Sequence, residues 1–299
     1  MQTGKNGREL PMYISIFSDE LGLDVAEALP IIKSWGLKHV DFRAKVFGKG
    51  IEMLDNDERK QLRKLVDDHG MTVGCLQTSL CKVHLPDGER QKKETEKLEG
   101  IIRAADALEC RLIRSFSYWQ PQVEESGTLA THPQALETVM DLFAPIARRA
   151  QEAGLILSFE NCGVLPDELF ALLDALDVPG WDMAWDVANT WGCEERKRDE
   201  DAFIARMVKR ANCVHVKAAG ALSIMPRYEA IPYVKVLEIC HKLGMSGPVS
   251  AETHNFGRKG PDVDVSKMLV DLIRDAWPAG AGGRGKALVP CTPSERMRK

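Results

Sequence analysis

The chain has 299 residues, 44% hydrophobic and 28% charged, with a formal charge of -4 at pH 7. That length suits one large domain or two ordinary ones, and the composition is that of a globular protein rather than a disordered one. The acidic balance argues against a broad cationic surface for nucleic acid, and no apolar run approaches the length of a membrane span.

Residues 1–11 are polar and lack the apolar core of a signal peptide, so they read as a disordered leader. Tyr13 to Ser18 is a β-branched and aromatic run of strand type, and Asp24 to Trp35 has helical spacing, with Val25, Ala28, Leu29 and Ile32 on one face. Gly36 closes that helix in the manner of a C-terminal glycine. A second strand spans His39 to Ala44, a second helix Asp57 to His69, and a third strand Thr72 to Thr78. A loop with Lys82, His84 and Pro86 leads to a charged helix from about Arg90 to Leu108, then a fourth strand, Arg111 to Ser117. After a long loop, Pro133 opens a helix that runs to Ala153 before Gly154.

The second half repeats the plan. Strand five is Leu155 to Asn161, with a helix from about Pro166; strand six is Met183 to Val187, with a helix from about Asp201. Strand seven is Cys213 to Ala218, its helix about Ala230 to Leu243; strand eight is Val249 to Thr253, followed by a helix from Val265 to Trp277. Eight strand-helix units in strict alternation predict an α/β fold with a parallel sheet, and eight strands close into a (β/α)8 TIM barrel forming a single domain over residues 12–278. An open doubly wound sheet is disfavoured because no GxGxxG follows the first strand. Residues 279–299 have no hydrophobic period and read as a flexible tail. The loops after strands are longer than those after helices, which puts the site on the strand C-terminal face.

The eight cysteines are dispersed with no CxxC pair, which favours buried thiols over a disulfide framework and a reducing cytoplasm as the compartment.

Four successive strands end in polar residues of metal-ligand type: Glu160 after LILSF, Asp186 after AW, His215 within VHVK, and Glu252 after VSA. An unpaired buried charge is costly, so four such groups at strand ends should converge on something that compensates them, and a divalent cation does so. Alternation along a strand sets Lys217 on the face of His215, and Ser250 and His254 on the face of Glu252. Two glutamates, one aspartate and one histidine make a mostly oxygen-donor set, suited to Mn²⁺ or Mg²⁺ and open to Co²⁺ or Zn²⁺.

The stretches FEN (159–161), WDVAN (185–189), HVK (215–217) and AET (251–253), with SDELG after strand one and IRSFS in strand four, resemble the xylose isomerase-like barrels. The likeness is to their sugar phosphate isomerase/epimerase group, which includes ketose 3-epimerases, hydroxypyruvate isomerases and inosose dehydratases. The resemblance implies that Glu160, Asp186, His215 and Glu252 hold one divalent metal and that Glu160 and Glu252 serve as acid and base on a bound sugar. Lys217, beside the metal by strand periodicity, is expected to face a developing oxyanion. Asn189, His254, Arg114 and Lys82 are the expected substrate contacts, and Tyr118 and Trp119 the candidate apolar walls. Two positions depart from the family pattern: Asn189 stands where many epimerases carry histidine, and Ala218 where an aspartate often follows the lysine.

The expected activity is a metal-dependent isomerase or epimerase of a sugar or sugar phosphate, working through an enediolate. A lyase or dehydratase acting on a keto-sugar or keto-inositol would use the same groups, and a non-catalytic sugar-binding barrel would keep the fold alone. Type IV apurinic endonucleases share the barrel but need further strand-end histidines, whereas strands two and three end here in Phe42-Arg43 and Gln77-Thr78. The expected partner is a small-molecule sugar, with no nucleic acid or membrane and with self-association into a homo-oligomer left open.

Overall fold

The computed structural model describes residues 11–83, 88–118, 133–218, 231–254 and 262–278. Its strands are β1 (Tyr13–Ile16), β2 (His39–Phe42), β3 (Thr72–Leu80), β4 (Leu112–Ser115), β5 (Ile156–Glu160), β6 (Asp182–Asp186), β7 (Ala211–Lys217) and β8 (Pro248–Glu252). Every hydrogen-bonded neighbour is parallel, in the order β1-β8-β7-β6-β5-β4-β3-β2, and a parallel bridge between Phe17 and Asp41 joins the two ends. The sheet is therefore a closed barrel rather than an open one.

The helices between strands are α1 (Val25–Ser34), α2 (Asn56–Asp68), α3 (Gly88–Leu108), α4 (Pro133–Glu152) and α5 (Pro166–Leu176). Three follow β6, namely α6 (Val187–Thr190), α7 (Glu194–Arg198) and α8 (Glu200–Val208), and then come α9 (Tyr233–Lys242) and α10 (Val263–Asp275). The longer ones lay an apolar stripe on the sheet; Ala28, Leu29 and Ile32 of α1, for example, are fully buried. Asp24 caps α1 by accepting from the Ala26 N–H, and Gly36 beyond its end takes φ 79°, which a side chain would resist.

The eight-unit plan holds, with shifts at element ends. Val187, expected in strand six, starts α6 instead, because the Asp186 side chain accepts from the Asn189 N–H and turns the chain into a helix. Strand three runs on to Leu80, strand four is confined to four residues, and the two short helices α6 and α7 precede the expected helix near Asp201. All seven described cysteines are free thiols, five of them buried. His84, Pro86, Trp119 and Cys291, with residues 1–10 and 279–299, lie outside the described residues.

Small and polar side chains fill the inside of the barrel. Asp41 is fully buried there and accepts from Ser15 Oγ and Ser250 Oγ at 2.6 Å each, Gln77 Nε2 at 2.9 Å and the Cys75 N–H at 3.0 Å. Burial pushes its carboxyl up to about 6 despite these donors. Cys75, Ala184 and Cys213 pack nearby with Leu112 in a small cluster of their own. This floor supports the strand tips above it.

Candidate metal centre

Strand register decides which tips meet. Asp186 pairs with His215 across β6 and β7, and Lys217 pairs with Glu252 across β7 and β8. Glu160 pairs with Ala184, two residues before Asp186, so the polar positions climb from strand to strand as barrel stagger requires. Glu160, Asp186, His215 and Glu252 are each no more than 3% exposed. Each offers one ligand atom, and the four atoms lie within 4.8 Å of one another. Donors bound at about 2.0–2.2 Å around one cation span little more than about 4 Å, so the set is close to the size of a single coordination sphere.

The polar accounting agrees. His215 Nδ1 and Glu252 Oε2 are buried and have no hydrogen-bond partner among the described residues, and Asp186 Oδ2, equally buried, has only the Lys217 ammonium beside it. His215 Nδ1 lies 3.6 Å from Glu252 Oε2 and 3.9 Å from Glu160 Oε2, while its Nε2 is 3.4 Å from Cys213 Sγ. Burial pushes His215 down to about 4, so the ring is neutral at pH 7 and can present a lone pair. A divalent cation among these atoms would satisfy all of them at once, and the donor set fits it.

Charge points the same way. Asp19, Glu20, Glu160, Asp186 and Glu252 face three cations, Arg43, Arg114 and Lys217. Arg43 binds Asp19 at 2.9 Å, Glu20 at 2.6 Å and Glu252 at 3.1 Å; Arg114 binds Glu160 at 2.8 Å; Lys217 pairs closely with Asp186. Burial raises the Asp186 carboxyl to about 6, with Lys217 opposing the shift. Burial also works against the Lys217 ammonium, but Asp186 and Glu252 hold it well above the ordinary lysine value. For Glu252, burial is outweighed by Lys217, His215 and His254, which keep the carboxyl well below the usual range.

Of the expected substrate contacts, Asn189 sits in the first turn after β6, with Oδ1 3.4 Å from Lys217 Nζ. His254 places Nδ1 3.2 Å from Glu252 Oε1, and its N–H donates to Glu20 Oε2 at 2.9 Å. Lys82 is exposed after β3, its Nζ 4.8 Å from the Phe116 ring centre. Arg114 is only 4% exposed; besides Glu160 it donates to the carbonyls of Thr78 at 3.1 Å and Gln77 at 2.9 Å. All three guanidinium nitrogens are thus engaged by protein acceptors, so Arg114 holds Glu160 in place while it also borders the cavity above the cluster. Tyr118 is not a cavity wall: it is fully buried, with its hydroxyl donating to Gln91 Oε1 at 2.8 Å and its ring edge-on to Phe143.

A cavity of about 510 Å³ opens over the cluster, lined by Arg43, Glu52, Lys82, Glu160, Lys217 and Glu252 among others. Its size is that of a small-molecule site. A larger groove of about 600 Å³, between α9 and α10, is mainly apolar and carries none of these groups. Sequence reasoning passed over Asp19, Glu20, Asp41, Arg43 and Glu52. Asp41 and Arg43, two apart at the end of β2, carry the same signal as His215 and Lys217.

A closed eight-stranded barrel with its polar cluster at the strand C-terminal mouth is the layout of the barrel enzymes. The model of the xylose isomerase-like TIM barrel matches residues 29–276, and the chain belongs to that family. No curated protein sequence is a match. Among solved structures, D-psicose 3-epimerase from Clostridium cellulolyticum H10, crystallised with D-tagatose, superposes with a TM-score of 0.66 at 15% identity, covering 89% of this chain and 96% of that one. The 3-keto-D-glucoside 4-epimerase of E. coli gives 0.65 at 12% identity over 89% and 100% of the two chains. A xylose isomerase-like TIM barrel protein from Mycobacterium smegmatis, in complex with magnesium, gives 0.60 at 16% over 93% and 100%. At these identities the likeness is one of fold.

Proposed function

We propose that this protein is a carbohydrate isomerase or epimerase that works with one divalent cation, Mn²⁺ or Mg²⁺ in the first instance. The observation that carries the reading is the convergence of Glu160, Asp186, His215 and Glu252 beneath a cavity, with buried ligand atoms left unsatisfied. The epimerases among the structural neighbours support the substrate class.

These four residues would hold the cation, which when bound polarises a carbonyl and acidifies the adjacent C–H. Glu160 and Glu252 each have an arginine on one carboxylate oxygen, Arg114 and Arg43 respectively. That fixes the two groups in place before substrate arrives. One carboxylate takes the proton from carbon and the other returns it; return to the same carbon epimerises it, and return to its neighbour shifts the carbonyl. Lys217, held charged, faces the negative charge that develops on oxygen. Asn189 and His254 orient hydroxyls from the rim.

The test is solvent deuterium exchange into ketoses, inososes and 3-keto-glycosides with Mn²⁺ present. Exchange at carbon next to the carbonyl of at least one compound is expected, abolished in Glu160→Gln and Glu252→Gln. Loss of a hydroxyl would identify a dehydratase instead, and absence of exchange across the panel from metal-loaded protein would identify a sugar-binding barrel.

A further inference from the structure

We infer that Glu52 is a specificity-determining residue of the cavity, accepting hydrogen bonds from two neighbouring hydroxyls of an uncharged sugar and excluding a phosphate group from that position. The inference rests on the carbohydrate reading above and names the substrate class for it.

Glu52 lies on a short 3-10 turn, Ile51–Met53, that follows β2 and borders the cavity. Its carboxylate differs from the others there. Glu160 is bound by Arg114, and Glu252 by Arg43 and His254, whereas the Glu52 side chain makes no hydrogen bond or ion pair among the described residues. An ionised carboxylate offers about four acceptor sites and no donor; here it lies beside Gly50 at the cavity edge, and no donor among the described residues takes any of those sites. A polyhydroxylated sugar brings the complementary groups, since each hydroxyl must donate to something when it leaves water. A phosphate dianion brings only acceptors and negative charge, and is repelled.

The carboxylate is also held where it is needed. Ile51 anchors the turn with its side chain fully buried, and its N–H donates to the Arg43 carbonyl at 3.1 Å. The Glu52 carbonyl oxygen packs so tightly on α3 that a Cβ at Gly100 would sit 2.1 Å from it. The backbone that carries Glu52 therefore cannot drift, and ordering this acceptor for a ligand costs little. The same Ile51 N–H bond ties the Glu52 turn to Arg43, which orients Glu252, so hydroxyl recognition and proton transfer are mechanically linked.

The experiment titrates Mn²⁺-loaded full-length protein with D-fructose, D-tagatose and D-fructose 6-phosphate by ligand-observed NMR, in wild type, Glu52→Gln and Glu52→Ala, and measures deuterium exchange on the same samples. Expected are binding of a neutral ketose by wild type, a loss of about tenfold or more in Glu52→Ala, and weaker binding of the phosphate than of D-fructose by wild type that improves in Glu52→Gln. Unchanged Mn²⁺ affinity and circular dichroism would show that both variants remain folded. Wild-type exchange with an unaltered Kd in Glu52→Ala, or a preference of wild type for the phosphate, overturns the assignment and leaves the enzyme reading standing. Neither binding nor exchange of any sugar by wild type overturns both.

Discussion

Arg114 donates to Glu160 across 2.8 Å, with the two side chains only 4% and 3% exposed. Neither charge has water to fall back on, so each depends on the other. Replacing Arg114 by Met keeps the bulk and strands the carboxylate. The variant should lose about 3–5 kcal/mol of stability in urea unfolding. A midpoint matching wild type would show that Glu160 has another counter-charge.

Chelator-treated protein should bind one equivalent of Mn²⁺ in isothermal titration, and its thermal midpoint should climb with metal concentration by mass action. Glu160→Gln and Glu252→Gln each remove a carboxylate from the cluster and should weaken that affinity by at least about tenfold. Equal affinity in the variants would place the ion elsewhere.

Asp41 sets a pH dependence of stability. Its folded-state value of about 6 lies above the ordinary 3.8, so the folded form binds the proton more tightly. Stability from this group is complete below about 4, falls as pH rises through the window from about 4 to 6, and is gone above it. The two-unit gap corresponds to about 3 kcal/mol. Urea midpoints of wild type and Asp41→Asn, measured from pH 4 to 7, should diverge across that window. A constant difference between the two curves would refute the assignment.

Lys217→Met should leave metal binding in place but slow deuterium exchange by about 10²–10³, the usual cost of removing one preorganised stabiliser of a developing oxyanion. Lys217→Arg, which keeps the charge but not the shape, should recover part of the loss. Unimpaired exchange in Lys217→Met would reduce the lysine to a structural partner of Asp186.

Gly100→Ala tests the clamp on the β2 turn. Alanine is the better helix former by about 1 kcal/mol, yet its Cβ would meet the Glu52 carbonyl at 2.1 Å. Overpacking should win and destabilise the protein by about 1–3 kcal/mol in thermal unfolding. A more stable variant would mean the turn can step back from α3.

What the chain order by itself determined is local: apolar runs of strand length, glycines at helix ends, and a polar residue at the tip of each of β5 to β8. Those signals need only a residue and its near neighbours, because side-chain alternation and helix termination are properties of a few consecutive dihedrals. One slip of that kind, Val187 read as strand, came from Asp186 acting as both strand tip and helix cap. The tertiary structure alone decided how the charges pair. Arg43 and Glu252 meet at 3.1 Å although 209 positions separate them, and Ser250 reaches Asp41 over the same span, because barrel closure brings β8 round to β1 and β2. Likewise, Tyr118, a candidate cavity wall on sequence grounds, turned toward protein acceptors once neighbouring helices supplied them, and Arg114 borders the cavity with its nitrogens held by acceptors on neighbouring strands. A pairing between distant segments leaves no periodic trace in the sequence, since its energy exists only after the cylinder has closed.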